Sequence, residues 1–227
     1  MIMIYDFDGT ITKSKVPKYG VLEKCMDTSL FSSKDIIKEA KKKGGNLYET
    51  FYSMYFALIK KAGLKINNEN LSLGASEITY NDGIEEYFEN IGKLHKNYIV
   101  SSGVKVFLKN TKVAKYFKDI YATTFTYKNG EVNGFDYMMT NEKKVDAIRK
   151  IMEKEGEKDC QNIIYSGDGL TDYQAMEYVK NNGGETILIT DKNDEKLINS
   201  MEKVVSFNFK NDYSKERDLY KHIEKKS

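Results

Sequence analysis

Cysteine, proline, arginine and long apolar runs are all scarce in this chain, and each scarcity removes a class of protein. The two cysteines, Cys25 and Cys160, lie far apart without metal-ligand spacing. Reduced thiols are expected, and neither a disulfide scaffold nor a thiolate metal site. No apolar stretch approaches transmembrane length, and the apolar start at Met1–Tyr5 is too short for a signal-peptide core and has no basic segment before it. The expected setting is the cytoplasm, with no membrane partner. A charge excess is missing too: 36 basic residues against 34 acidic ones leave a formal net charge of +2, so no field draws nucleic acid or an anionic surface. Lys41-Lys42-Lys43 reads as a solvated helix face. His95 and His222 match no triad or ligand spacing and are expected on the surface.

What is present suits a globular protein. At 227 residues the chain can bury a full core and carry an insertion, and 40% hydrophobic residues with 31% charged argue against general disorder. Four short apolar stretches have the character of buried parallel strands: Met1–Tyr5, Tyr98–Val100, Asn162–Tyr165 and Thr186–Ile189. Helical spacing lies between them, in Ile84, Tyr87, Phe88, Ile91 and Leu94, and in Val145, Ile148, Ile151 and Met152. This alternation predicts an α/β, Rossmann-like domain on a parallel sheet. Gly183-Gly184 reads as the turn before the last of these strands. The stretch Thr12–Thr79 breaks the pattern. It holds the only proline, Pro17, and then helical spacing alone, including Tyr48, Phe51, Tyr52, Tyr55, Phe56 and Ile59. A helical cap at residues 12–79 is expected over the sheet end, inserted into a core of 1–11 and 80–227, its aromatic stripe packing the cap interior.

Charge then sits where strands should end. Asp6 and Asp8 follow the first apolar run at once, and ligands of open parallel sheets bind beyond the carboxyl ends of the strands. "YIVSSG" (98–103), "NEKKVDAI" (141–148) and "IIYSGDGLTD" (163–172) add polar groups after strands or at a helix start. Together these residue types suit phosphoryl transfer. A carboxylate such as Asp6 can attack phosphorus and form an acyl phosphate, and Asp8 can protonate the leaving oxygen and later activate water. Asp168 completes an oxygen set for Mg²⁺, while Ser101 and a lysine from Lys143-Lys144 can hold the equatorial phosphate oxygens.

"DFDGT", "VSSG", the lysine before "VDAI" and "GDGLTD" resemble, in order, the four motifs of the haloacid dehalogenase superfamily of phosphohydrolases. The likeness spans Met1 to about Ile189 and is best with the phosphoserine-phosphatase-like branch, whose helical cap lies between the first and second motifs. It implies Asp6 as nucleophile, Asp8 as general acid and base, and Ser101 as phosphate-binding hydroxyl. Ser102 stands where relatives often have glycine and is the alternative serine. The resemblance also implies a motif lysine, with Lys144 preferred over Lys143 because it sets Ile148 one turn later. Magnesium would be held by Asp6, the backbone carbonyl of Asp8 and Asp168, with Asp172 supporting the metal shell. By the same likeness, Asp8 favours hydrolysis of a small phosphate monoester over dehalogenation or a P-type pump. A phosphomutase, or a silent protein binding a phosphorylated metabolite, is the alternative. Relatives that cleave phosphoserine use a cap arginine, and Arg149 and Arg217, the only arginines here, both lie outside residues 12–79.

Overall fold

The computed structural model describes residues 1–13, 38–42, 46–190 and 194–227; Pro17, Cys25 and Lys43 lie outside the described residues. Strands β1 (Ile2–Tyr5) and β5 (Ile163–Gly167) are buried at every residue, which is why they read as unbroken apolar runs. β1 pairs in parallel with β5 on one side and with β2 (Lys96–Val104) on the other. Beyond β5, β6 (Glu185–Ile189) and β7 (Phe207–Phe209) continue in parallel. Beyond β2, β3 (Asp119–Lys128) is parallel and folds back into the antiparallel β4 (Glu131–Tyr137). The sheet order is therefore β4-β3-β2-β1-β5-β6-β7.

The four expected strands correspond to β1, β2, β5 and β6, while β3, β4 and β7 are additional. The hairpin signal is visible in hindsight: Asn129 and Gly130 both take positive φ, +52° and +79°, as the tight mirror-image turns of hairpins require.

Alternation along the strands divides the core into two layers. Ile2 and Ile4 face one side, with Ile148 and Ile151 of α5 (Lys143–Glu155) and Met176 of α6 (Tyr173–Asn181). Met3 and Tyr5 face the other, with Tyr87 and Phe88 of α3 (Ile84–Asn90) and Ile223 of α8 (Asp218–Glu224). The expected helix through Leu94 stops earlier. Gly92 opens a separate short turn whose missing Cβ makes room for Phe88, and Leu94 is 59% exposed.

The two histidines need correction, since neither is a free surface group. His95 is buried, with Nε2 3.1 Å from the Ser227 hydroxyl, and His222 is 2.5 Å from a Glu185 carboxylate oxygen with its ring centred 4.3 Å from Phe207. Both clasp the last helix to the sheet edge.

Between residues 12 and 79 the described segments are helical. They include residues 38–42, where Lys41 and Lys42 are exposed, α1 (Leu47–Lys61) and α2 (Asn68–Leu71). Asn46 caps α1 by accepting from the Tyr48 and Glu49 amides, and Lys60 and Lys61 complement its carboxyl end. The ends of the segment lie side by side. Lys13 N donates to the Thr79 carbonyl at 3.0 Å, and Asn81 N donates to Ile11 at 2.9 Å. A third apolar cluster joins Tyr52 and Ile59 of α1, Ile66 and Leu71 to Phe125 of β3, with Val132 and Phe135 of β4 against it. The aromatic stripe is thus packed not only within the helical segment but on the hairpin.

Candidate active site

Sheet register builds the site before any side chain is considered. Tyr5, the last residue of β1, pairs with Ile99 on β2 and Ser166 on β5. Asp6, Val100 and Gly167 consequently lie at one level of the carboxyl edge, with Ser101 and Asp168 one residue further on. The chain runs from β1 outward to β2 and β3, and returns through α5 to β5 on the opposite side. The crevice at that reversal is where open parallel sheets bind ligands.

Asp6 is buried, and its backbone amide donates to the Ser166 carbonyl at 2.8 Å. Burial pushes its carboxyl well above the ordinary range; Lys144 opposes the shift, and Asp172, Asp168 and Asp8 reinforce it. Lys144, at the start of α5, is buried with its ammonium 3.2 Å from Asp6 Oδ1 and 2.7 Å from Asp172 Oδ1. Burial alone would lower the lysine, but Asp172 and Asp6 outweigh it and keep the group charged. The two lysines lie differently, and only Lys144 is beside Asp6. Lys143 points away, its amine 4.9 Å above the Tyr137 ring.

Asp172 is saturated. Its Oδ1 accepts from Lys144 and, at 2.7 Å, from the Tyr165 hydroxyl; its Oδ2 accepts from the amides of Asp168 at 3.2 Å and Gly169 at 3.4 Å. Two glycines permit these approaches. A Cβ on Gly9, whose φ is +83°, would lie 2.2 Å from Asp168 Oδ2, and one on Gly167 would lie 2.4 Å from the Asp172 carboxyl carbon. Asp6, Asp168 and Asp172 each offer a carboxylate oxygen within 4.8 Å of the others, an all-oxygen set of the kind that holds a hard divalent cation.

On the β2 side, Ser101 is buried and its Oγ accepts from the Gly103 amide at 3.1 Å. The carbonyl of the half-buried Ser102 accepts from the hydroxyls of Tyr52 and Thr123, each at 3.2 Å. Tyr48 donates to Asn141 Oδ1 at 2.5 Å, just ahead of α5. The structure therefore gathers Asp6, Asp8, Ser101, Ser102, Lys144, Asp168 and Asp172 around one crevice and leaves Lys143 outside it. Tyr165, Thr123 and Asn141 are contributors that sequence reasoning passed over. Only Tyr165 carries a local signal, a polar-tipped ring inside the apolar run leading to "GDG".

Comparison with known proteins places the chain in a class. Residues 3–177 match the haloacid dehalogenase-like hydrolase family, and the chain belongs to it. An uncharacterised protein of Borreliella burgdorferi is 24% identical, over 79% of this chain and 78% of that protein. Among solved structures, a substrate-bound phosphoserine phosphatase superposes with a TM-score of 0.66 at 17% identity, covering 99% of this chain and 97% of the other. Cytosolic 5'-nucleotidase IIIB bound to cytidine gives 0.66 at 15% identity, with coverage of 98% and 84%. A family hydrolase from Salmonella enterica serovar Typhi gives 0.68 at 16% identity, with 91% of this chain matching 66% of that one. At these identities the structural matches establish the shared fold. Among the described residues, no helix is long and apolar enough to cross a membrane.

Proposed function

We propose that this hydrolase is a phosphatase that cleaves a small phosphate monoester through an aspartyl-phosphate on Asp6. The observation that carries the reading is the buried Asp6 carboxylate facing the Lys144 ammonium at 3.2 Å, beside two further carboxylates. In the first step an Asp6 oxygen attacks phosphorus, the ester P–O bond breaks, and Asp8 gives its proton to the departing oxygen. In the second step Asp8 takes a proton from water, the water oxygen bonds to phosphorus, and the bond to Asp6 breaks, releasing inorganic phosphate. Lys144 balances charge on the transferring group. Ser101 already accepts from the Gly103 amide, so its own O–H is the group to donate to a phosphate oxygen. Ser102 lies beside it and helps shape the same wall.

The donor set fits Mg²⁺. Asp6, the Asp8 carbonyl and Asp168 would hold the ion, which when bound offsets the charge of carboxylates and phosphate and polarises the phosphoryl group. Asp172, with both oxygens occupied, supports that shell through Lys144 and the Asp168 amide. Residues 12–79 act as the cap that excludes water and selects substrate. The neighbours named for phosphoserine and cytidine point to small substrates. Phosphoserine itself is disfavoured here, because Arg149 pairs with Asp146 and Arg217 with Asp212, and neither belongs to the cap.

Phosphate release from an aryl phosphate tests the reading. The parent should turn over with Mg²⁺ and stop in excess chelator, and Asp6→Asn should release nothing while unfolding at the parent's temperature. Turnover by Asp6→Asn near the parent rate would assign the nucleophile elsewhere.

A further inference from the structure

Among the described residues, Tyr165 joins the buried polar network around Asp172 without being charged or part of the loop that carries Asp168. It sits mid-strand in β5, in register with Ile4 and Thr186, fully buried among the apolar residues of one sheet face. A phenylalanine would satisfy that packing. A hydroxyl there carries a desolvation cost unless it is paired, and its partner is Asp172 Oδ1 at 2.7 Å, the same oxygen that receives the Lys144 ammonium at 2.7 Å.

We propose that Tyr165 is a positioning residue for the cation and phosphoryl site, acting through Asp172 on both Lys144 and Asp168. This rests on the phosphatase reading for its catalytic consequence, though not for its effect on cation binding. Two consequences follow from the geometry. Tyr165 shares Oδ1 with Lys144, so the ammonium is not spent on Asp172 alone and keeps its second contact, 3.2 Å to Asp6. Tyr165 also fixes the carboxylate plane from the rigid centre of the sheet, and that plane sets Oδ2 beneath the Asp168 and Gly169 amides. With the hydroxyl gone, the carboxylate can rotate toward Lys144. The ammonium is drawn from Asp6, and the loop presenting Asp168 loses its anchor.

Tyr165→Phe keeps the ring and removes the bond. Tyr98→Phe is the control, since the hydroxyl of Tyr98, on β2, also bonds a carboxylate, that of Glu155 at the end of α5, away from the site. Mg²⁺ binding to each full-length protein is measured by calorimetry, alongside kcat and KM for an aryl phosphate. Tyr165→Phe should weaken Mg²⁺ binding by roughly tenfold, as loss of an outer-shell partner does, and lower kcat with KM changed less than about twofold. Tyr98→Phe should leave all three at parental values. Parental Mg²⁺ affinity and kcat in Tyr165→Phe, or equal losses in Tyr98→Phe, would overturn the proposal. A parent that binds Mg²⁺ but hydrolyses no phosphate monoester, with binding weakened in Tyr165→Phe, would sustain the positioning role and remove the phosphatase reading instead.

Discussion

In the proposed mechanism two aspartates separated by a single residue divide the chemistry, and their surroundings differ. Asp6 is buried against Lys144, whereas Asp8 is only partly buried and begins the turn that Gly9 completes at φ +83°. The proposal accordingly gives attack to Asp6 and proton movement to Asp8. A poor leaving group must be protonated as it departs, and a nitrophenolate need not be. Asp8→Asn should accordingly slow the first step severely with an alkyl phosphate and less with an aryl one. Water attack on the intermediate still lacks its base, a loss of roughly 100- to 10,000-fold. The expected result is a burst of phenolate up to one equivalent of enzyme, then slow turnover, with the phosphorylated protein visible by mass. Equal loss on both substrates with no trapped phosphoprotein would make Asp8 a structural or cation-holding residue.

Among the elements, α1 and the β3–β4 hairpin behave as one packed unit. Phe125 of β3 has ring centroids of Tyr52 at 5.6 Å, Phe56 at 5.3 Å and Phe135 at 5.4 Å. Val132 N donates to the Ile66 carbonyl at 2.7 Å, and the Tyr127 hydroxyl bonds Asn68. Any opening of the helical segment must carry the hairpin with it or break this cluster. Phe125→Ala leaves a cavity at its centre, at a cost of about 3–5 kcal/mol. Amide hydrogen exchange in α1 should then accelerate strongly while β1 and β5 keep their protection. Equal acceleration in β1 and β5 would mean that the unit has no stability of its own. The same cluster sets Tyr52 against Ser102 of β2 and holds the helix from which Tyr48 reaches Asn141, so a loosened hairpin should also raise KM for the aryl phosphate.

At the scale of the whole molecule, the sheet carries an electrostatic clamp at the edge opposite the candidate site. Glu155, the last residue of α5, accepts from Lys96 at 2.5 Å, from the Tyr98 hydroxyl and from Lys118 at 3.0 Å. It thereby ties the helix that carries Lys144 to β2 and to the segment entering β3. The Lys96 bond, then the Tyr98 bond, pull its carboxyl from 4.5 down to about 2, against burial and aided by Lys118. A folded value below the unfolded one means that this stabilisation is complete above about pH 4.5 and lost as pH falls toward 2. Glu155→Gln should have a lower urea midpoint than the parent at pH 7, and the gap should close as pH drops through that window. A gap independent of pH would assign the loss to neutral packing. Since the clamp lies at the amino end of β2, kcat at neutral pH should hardly change.

The sequence by itself determined the sheet centre and the residue types that stand at its carboxyl edge. Apolar runs buried on both faces can be read without knowing their partners, and Asp6, Asp8, Ser101 and Asp168 follow those runs directly. A strand end is a local event with a local signature. The hairpin was less legible: its strands mix exposed and buried residues and so lack a continuous apolar signal, although Asn129-Gly130 marks the turn. Only the tertiary structure decided that Lys144 and not Lys143 enters the crevice, because one helical step of about 100° separates a buried ammonium from one above Tyr137. It alone decided that His95 and His222 are tied down, that Tyr52 packs on Phe125, and that Tyr165 reaches Asp172. Each of these depends on which strand lies beside which and at what register. That information resides in the packing of distant segments, and a stretch of ten residues does not contain it.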